Sequence, residues 1–320
     1  MKWKKIILGC LIFVAVERFC YFQTGTFSLN KMLHEGSPPS PASHASSIEL
    51  QQPLRFIGAG KQFYAFETAD GKYVVKFMKW SRRRPLPYLE KLHLDNYLAA
   101  RARLAANLQK SAALALTSLP DESQLVTPKP SSTFTLIDKL NISHTIPSSS
   151  THYYVQRKAS NFTDYFESHI SEAEPLLRSF IHTVASQCRR GISNLDPVVS
   201  RNYGVVDGNV ILLDIGSLLQ SSKLHHTAAI NQEIVIELLP LRSWLQDKYP
   251  QHLKTFDLLL SEELYSAWLK KSHLGCVKAP GLRLSERGVV FPRYYPPLGQ
   301  LNRGSFHVSR NVNFFSRAEY

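Results

Sequence analysis

Cysteine is scarce in this sequence, which excludes two classes of small stabilised module. Among 320 residues there are four cysteines: Cys10, Cys20, Cys188 and Cys276. They are too few and too scattered for a disulfide framework, and none of them has the paired spacing of a structural zinc site. Apolar residues make up 44% of the chain, a level typical of a globular protein.

Acidic residues are also in the minority. Lysine and arginine number 38 against 25 aspartates and glutamates, a net charge of +13. This excess favours anionic partners such as nucleotides and lipid headgroups. The charge is dispersed apart from the stretch around Ser81 to Arg84, and no repeat of basic and aromatic residues is present, so we expect no nucleic-acid partner. Ser81 to Arg84 is expected to be a solvated loop, with contact to an acidic substrate or anionic lipid as the alternative.

The N-terminus carries an apolar stretch of intermediate length. Three early lysines precede the run Ile6 to Val16, which Glu17 and Arg18 interrupt before Phe19 to Phe22 resume it. The first run alone matches the core of a secretory signal, whereas a span needs ~20 residues. No convincing cleavage site follows. We therefore predict that residues 1–22 form an uncleaved membrane anchor or signal-like leader rather than a buried helix, with secretion as the alternative.

The remaining chain divides into a strand-rich half and a helical half. A Pro/Ser-rich linker is predicted over residues 23–48, and three strands follow from Pro53, with an Asp70-Gly71 hairpin between the second and third. Further elements are predicted from periodicity: a helix at Tyr88–Leu116, strands at Thr133–Ile142 and His152–Ala159, and helices at Ser171–Gly191, Asn231–Trp244 and Gln251–Lys271. Residues 276–320 are predicted to be a largely irregular basic and aromatic tail.

Two features of the strand-rich half suit a phosphate group. Gly58 and Gly60 lie at a strand-to-strand turn, where the lack of Cβ atoms lets the backbone approach a phosphate chain; glycine is also common in turns that bind nothing. Lys76 lies on an otherwise apolar strand, where an unpaired ammonium is costly to bury. It needs a carboxylate or a phosphate, unless it faces water on an edge strand.

The helical half contains three side chains suited to metal and hydroxyl chemistry. Asn202 and Asp214 flank a predicted hairpin with an Asp207-Gly208 turn, so they should lie at the same end of it. Amide and carboxylate oxygens are ligands for Mg²⁺ that also holds phosphate. Asp196, just upstream, could orient or deprotonate a hydroxyl. The pair His225-His226 is a weak metal signal, because adjacent side chains diverge.

The order of these elements resembles the protein-kinase-like superfamily over roughly Pro53 to Lys271. The segments that carry the resemblance are "FIGAGKQFYAF", "VVKF", "NLDPVVSRN" and "LLDIG". The resemblance implies an α+β, two-lobed protein-kinase-like fold with a β-rich N-lobe at residues 49–160 and a helical C-lobe at residues 161–275. It also implies phosphoryl transfer from ATP with Mg²⁺ to a hydroxyl-bearing substrate.

The same resemblance assigns roles to individual residues. It implies Asp196 as the catalytic base, Asn202 and Asp214 as metal ligands, and Lys76 as the nucleotide lysine paired with Glu90 or Asp95. The nucleotide would also contact the turn at Gly58 and Gly60, and the hinge between lobes from Gln156 to Ala159 would meet its adenine.

The sequence departs from the ordinary family pattern in several places. Asp196 lacks a preceding His-Arg, its interval to Asn202 is one residue longer, a third glycine is missing, and no Ala-Pro-Glu element follows Asp214. These departures resemble the divergent bacterial and small-molecule branches of the superfamily. They leave two alternatives open: a catalytically inactive pseudokinase that binds a nucleotide or partner at the membrane, and an unrelated membrane-anchored α+β protein.

Overall fold

The computed structural model describes residues 2–33, 47–79, 103, 106–272, 283–285 and 288–290. By contacts along the chain it divides into two compact units, Met1–Phe256 and Asp257–Tyr320. All the described candidate site residues lie in the first unit. The predicted helix Tyr88–Leu116 falls largely outside the described residues, and so do Glu90, Asp95 and the basic stretch from Ser81 to Arg84.

The described helices account for much of the second half of the chain. They are α1 (Lys2–Thr24), α2 (residues 106–118), α3 (Pro120–Ser123), α4 (Phe162–Ser168), α5 (Ala173–Arg189), α6 (Val199–Asn202), α7 (Thr227–Lys248) and α8 (Leu253–Ser272), with short 3₁₀ turns at Leu29–Lys31, Ser148–Ser150, Ile170–Glu172 and Pro250–His252.

The described strands lie mainly in the first half. They are β1 (Ser47–Ile48), β2 (Leu54–Ala59), β3 (Phe63–Glu67), β4 (Tyr73–Met78), β5 (Leu125–Pro128), β6 (Thr133–Ile137), β7 (Ser143–Pro147), β8 (Tyr153–Arg157), β9 (Ser160–Asn161), β10 (Ile192–Asn194), β11 (Tyr203–Val206), β12 (Asn209–Leu212), β13 (Leu218–Gln220), β14 (Arg283–Ser285) and β15 (Gly288–Val290).

The first eight strands form one curled sheet in the order β1-β5-β8-β4-β3-β2-β6-β7. Its centre is antiparallel, and the β1–β5 and β2–β6 pairs are parallel. The predicted hairpins at its centre are present, and Gly71 has the positive φ of 69° that a tight turn favours. A curled sheet followed by a helical region, with an apolar helix in front, confirms the predicted α+β class.

The described strands differ from the sequence interpretation in two places. The predicted strand Thr133–Ile142 ends at Ile137 as β6, and a turn follows before the further strand β7. In this turn Asp138 accepts from the amides of Leu140 and Ile142, and Asn141 has a left-handed φ of 62°. The strand β8 therefore does not pair with β6 but lies between β4 and β5. In the predicted irregular tail, β14 and β15 pair as a short antiparallel ladder.

The main core lies on one face of the sheet. On β4, Val75 and Phe77 are fully buried on this face, where they pack with Phe66 and Phe134. Alternation along the strand sends Lys76 to the opposite face. The two faces of β4 therefore serve different purposes, one apolar and one polar.

The predicted linker at residues 23–48 is in part a folded segment. Met32 is fully buried in the sheet core, and Phe27, Leu29 and Leu33 pack against that core. The large apolar side chains of this short stretch provide apolar surface that is buried on folding. The sequence interpretation missed them because the rest of the predicted linker is rich in Pro and Ser. The segment therefore attaches α1 directly to the sheet.

Among the described helices, α1 is the one long and apolar enough to cross a membrane. The stretch Ile6–Thr24 has a mean hydropathy of 1.8, and none of it is buried against the rest of the chain. By length and composition a signal sequence or a soluble core helix would pass the same test.

The helical region supports a second sheet of three strands, β12-β11-β9. The amphipathic helix α5 packs Phe180, Ile181 and Val184 inward, and its Thr183 hydroxyl donates to the carbonyl of Val210 on β12. Asn161 caps α4 by accepting a hydrogen bond from the amide of Thr163, as expected for a helix that begins with an Asn. These contacts fix the β11–β12 hairpin that carries part of the candidate site.

Candidate functional site

A single cross-strand row on the polar face of the sheet contains two of the predicted nucleotide residues. The register pairs Gly58 with Ala65, Ala65 with Lys76, and Lys76 with Tyr154. Directly opposed residues share a face, and neighbouring strands are ~4.8 Å apart, so Gly58 lies about 10 Å from Lys76. The strand pairing thus brings together residues that are far apart in sequence.

The fold itself does not require glycine at the β2–β3 turn. A Cβ added to Gly58 would meet nothing within 4 Å, and one added to Gly60 would approach only the carbonyl of Phe63, at 4.0 Å. Neither glycine has a positive φ in the left-handed region. Open space above both positions is what a ligand that approaches the backbone needs.

Lys76 is half-buried and bonded to two uncharged acceptors. Its Nζ donates to Oε1 of Gln156 at 3.0 Å and to the carbonyl of Leu213 at 2.5 Å. Burial lowers the pKa of Lys76 to about 8, although the nearby carboxylate of Asp214 acts to raise it. The ammonium also lies over the ring of Tyr154, 5.4 Å from its centroid. An additional anion would therefore stabilise the charged form.

The side chain of Gln156 is hydrogen-bonded to Lys76 and to two backbone carbonyls. Its side chain is fully buried, and Nε2 donates to the carbonyls of Ser123 at 2.5 Å and Leu212 at 2.6 Å. On either side it is paired in the sheet, with Val74 and with Leu125. The side chain of Gln156 is thus engaged within the protein, and contact between adenine and the backbone from Gln156 to Ala159 stays a prediction.

The hairpin predicted around the Asp207-Gly208 turn is present. Tyr203 to Val206 pair with Asn209 to Leu212, and Asp207 and Gly208 have positive φ values of 49° and 75°, as a type I′ turn requires. The amide of Leu213 donates to the carbonyl of Asn202 at 2.8 Å. Asn202 and Asp214 consequently lie at the open end of the hairpin.

Asn202 links this hairpin to Asp196. Its Nδ2 donates to the backbone carbonyl of Asp196 at 2.6 Å. The short helix α6 and a bond from the amide of Val198 to that same carbonyl, at 2.9 Å, absorb the extra residue between the two. Within the described chain the amide oxygen of Asn202 accepts no hydrogen bond, and the exposed carboxylate of Asp196 has no partner.

Asp214 is positioned by its own turn. One carboxylate oxygen accepts from the amide of Gly216 at 2.9 Å, and the other has no hydrogen-bond partner among the described residues. A Cβ on Gly216 would come within 2.7 Å of Oε1 of Gln62 and 2.9 Å of Leu108. A side chain at this position would require the ends of the Gln62 and Leu108 side chains to shift, and the glycine turn of the sheet, which contains Gln62, lies directly against the Asp214 segment.

Sequence reasoning missed Asn194 and Glu237, whose hydrogen bonds hold the loop that contains Asp196. Oδ1 of Asn194 accepts from the amide of Asp196 at 3.0 Å and from the hydroxyl of Ser217 at 2.7 Å. The amide of Asn194 donates to Glu237 of α7 at 2.8 Å. Burial raises the pKa of Glu237 to about 8, against the lowering effect of this hydrogen bond. A glutamate on the apolar face of a predicted helix was the available signal.

Other predicted or visible features lie apart from these groups. The rings of His225 and His226 contact each other at 4.5 Å, but no group of three or more His, Cys, Asp or Glu side chains suited to a metal occurs among the described residues. An open cavity of about 510 Å³ lies beside the end of β8, and its lining includes Arg157, Lys158 and Asp207 of the β11–β12 turn. Lys76 and Asp214 do not line it.

Comparison with known proteins gives limited information. No protein-family model and no curated protein matches the sequence. The solved structure described as the bifunctional kinase-methyltransferase WbdD is 17% identical, covers 75% of this chain and 49% of its own, and has a TM-score of 0.34. WbdD with the kinase inhibitor LY294002 is 18% identical over 67% of this chain and 45% of its own, also at 0.34. This chain thus spans less than half the length of these proteins.

Proposed function

We propose that this chain is a kinase-like phosphotransferase, anchored to a membrane by α1, that moves the γ-phosphoryl group of ATP to a hydroxyl of a protein or small molecule. The observation that carries the proposal is the convergence of the Gly58–Lys76 row with Asp214. The sheet face supplies backbone space and one ammonium, and the hairpin supplies two oxygen ligands. This is the donor set that a polyphosphate and its cation need.

The scheme assigns a task to each residue of the site. Lys76 binds the α- and β-phosphates, and the backbone around Gly58 and Gly60 contacts the phosphate chain. Asp196 accepts the proton of the acceptor hydroxyl, whose oxygen forms a bond to the γ-phosphorus while the bond from phosphorus to the β–γ bridging oxygen breaks. Asn202 orients Asp196 through its carbonyl, so the base is held from the main-chain side and its carboxylate stays accessible.

The donor atoms fit Mg²⁺. Asp214 has one carboxylate oxygen and Asn202 one amide oxygen without a partner in the described chain, and Mg²⁺ is commonly bound by one or two protein oxygens together with substrate phosphates and water. When bound, the cation would neutralise charge on the phosphate oxygens.

A second candidate, a pseudokinase that binds nucleotide without transfer, is favoured by the hydrogen bonds of Lys76. Gln156 and the carbonyl of Leu213 already satisfy part of its ammonium, and Asp196 has none of the polar side-chain contacts that would orient a base. The two candidates share the nucleotide site and differ at Asp196.

Thermal unfolding of the full chain with Mg²⁺ and ATP tests the shared part. We expect metal-dependent stabilisation of the natural protein, and none for Asp214→Asn or for Gly58→Val, whose side chain would occupy the open space above the turn. Asp207→Asn, at the far end of the same hairpin, is the matched control and should respond normally. If the natural protein shows no shift at saturating nucleotide, the site proposal is wrong.

Phosphotransfer or ATP hydrolysis by Asp196→Asn then separates the candidates. Loss of turnover with binding retained supports the enzyme. No activity in either protein supports the pseudokinase, and equal activity in both would show that phosphotransfer does not depend on Asp196.

A further inference from the structure

The turn between β6 and β7 is rigid and presents two large apolar side chains to solvent. Leu140 is 47% exposed and Ile142 51% exposed. Oδ1 of Asp138 accepts from both of their amides at 2.9 Å, and Oδ2 contacts His144 Nε2 at 2.8 Å. Burial acts to raise the pKa of Asp138, but these hydrogen bonds outweigh it and hold that pKa below its usual value. The apolar pair is therefore displayed by a built turn.

This turn contacts the end of α1. Nζ of Lys139 donates to the carbonyl of Phe22 at 2.9 Å and lies 4.9 Å from the centroid of its ring. A Cβ on Gly25 would come within 2.9 Å of Phe56 and 3.3 Å of Lys139, and Tyr64 donates to the carbonyl of Thr26 at 2.8 Å. The end of α1 is thus fitted against the sheet rather than joined to it by a free linker.

The position of α1 sets the level of the turn relative to a bilayer. The stretch that could cross a membrane ends at Thr24, so Phe22 lies in its last turn. Lys139, which contacts Phe22, therefore lies next to the end of this stretch. Each residue extends the chain by at most ~3.6 Å, so the Cα atoms of Leu140 and Ile142 lie within roughly 11 Å of the Cα of Lys139. A lysine between apolar side chains suits this boundary, because its stem is apolar and its ammonium can meet the headgroups.

We propose that the turn of Lys139, Leu140 and Ile142 is a membrane-docking turn that inserts its two apolar side chains into the headgroup boundary of the bilayer that holds α1. This proposal rests on the membrane placement of α1 proposed above. Isolated exposed apolar residues are common and carry little meaning. Here two of them share one ordered turn and adjoin an apolar helix that is itself exposed, so the bilayer is an occupant continuous with both. The folded unit that carries the turn would then have one fixed orientation on the membrane.

Depth-dependent fluorescence quenching in vesicles tests the proposal. The full chain, with Cys10, Cys20 and Cys276 replaced by alanine and the buried Cys188 kept, carries a polarity-sensitive dye at one new cysteine. The dye positions are Leu140→Cys, the reference Phe13→Cys within α1, and the control Ile170→Cys, an exposed apolar position in the 3₁₀ turn Ile170–Glu172. The vesicles contain phosphatidylcholine with a minor fraction of phosphatidylglycerol, with or without nitroxide-bearing lipid.

We expect the nitroxide lipid to quench the dyes at positions 13 and 140, and the dye at 140 to be quenched about tenfold more than that at 170, as expected for a side chain ~5 Å inside the headgroup boundary. Quenching at 13 without quenching at 140 overturns the docking turn and leaves the anchor intact. Absence of quenching at both positions overturns the membrane placement as well. Quenching at 140 that disappears when the protein is diluted with excess lipid indicates a second copy as the occupant and also overturns the proposal.

Discussion

The two faces of the large sheet differ in composition and in what they bind. On β4, Val75 and Phe77 point into an apolar core that the segment after α1 completes with Met32. One position along, Lys76 points to the opposite face, toward Gln156 and the segment of Asp214. A single strand therefore supplies stability on one side and a charged binding group on the other.

Burying side chains contributes to folding stability with opposite signs on the two faces of the sheet. On the core face every side chain gains from burial. On the polar face the fold holds Lys76 at a reduced pKa. The adjoining hairpin leaves oxygens of Asn202 and Asp214 without partners in the described chain. Both features lower the stability of the protein in the absence of a ligand. Substitutions on the two faces should therefore separate stability from binding.

The largest effect is expected from Phe77→Ala. Phe77 is fully buried and contacts the rings of Phe66 and Phe134 at 5.6 and 5.3 Å. Its truncation should lower the free energy of unfolding by about 3 to 5 kcal/mol, measured by urea denaturation, with nucleotide affinity of the folded fraction unchanged. A parallel loss of affinity would show that the faces are not independent.

Lys76→Met should produce the opposite pattern. Removing a half-buried ammonium should leave the free energy of unfolding unchanged or raised, while nucleotide affinity falls about ten- to a hundredfold, the usual size for hydrogen bonds to a charged group. Calorimetric titration measures this loss. Lys72→Met, an exposed lysine just before the same strand, is the control and should bind normally.

The pH dependence of nucleotide affinity follows from the same lysine. Burial lowers the pKa of Lys76 from 10.5 to about 8, so its charge is present below that pH and is lost above it. Because a bound phosphate favours the charged form, affinity should fall by up to about tenfold per pH unit above 8. Lys76→Arg, which stays charged, should remove this dependence. An unchanged slope in that variant would assign the effect to another group.

A smaller effect, on the free energy of unfolding, is expected at Glu237 of α7. Burial raises the pKa of Glu237 from 4.5 to about 8, so the folded state binds its proton more tightly than the unfolded state. The stability that this provides is complete below pH 4.5 and is lost as the pH rises through about 8. Glu237→Gln keeps an acceptor for the amide of Asn194 and should raise the free energy of unfolding above pH 8 by about 1 kcal/mol. Glu174→Gln, an exposed carboxylate, should not.

Local patterns predicted those parts of the molecule that short-range chemistry decides. The Asp207-Gly208 turn predicted the hairpin that brings Asn202 and Asp214 to one end. The Asp70-Gly71 turn predicted the β3–β4 hairpin, in which Ala65 pairs with Lys76. The pairing of Gly58 with Ala65 depends in addition on an irregularity in β2 that the sequence did not reveal. The end of β6 at Ile137 and the turn that follows depend on hydrogen bonds of a single aspartate, Asp138, that no periodicity reveals.

Long-range contacts decided the rest. The role of Gln156 as the acceptor for Lys76 requires β8 to lie next to β4, a pairing that follows from the whole sheet. The bond from Asn194 to Glu237 joins elements distant in sequence. The burial of Met32 depends on the apolar face of the same sheet, which residues distant in sequence form. None of these follows from the residues near it.

The most direct measurement of the central claim, that sheet face and hairpin form one nucleotide site, is a double-mutant cycle. The affinity of the full chain for ATP with Mg²⁺ is measured for the natural protein, Lys76→Met, Asp214→Asn and the double variant. If both residues act on one bound phosphate chain, the double variant should lose less than the sum of the single losses, by more than ~1 kcal/mol. Losses that add within ~0.5 kcal/mol would contradict the account, because independent sites add.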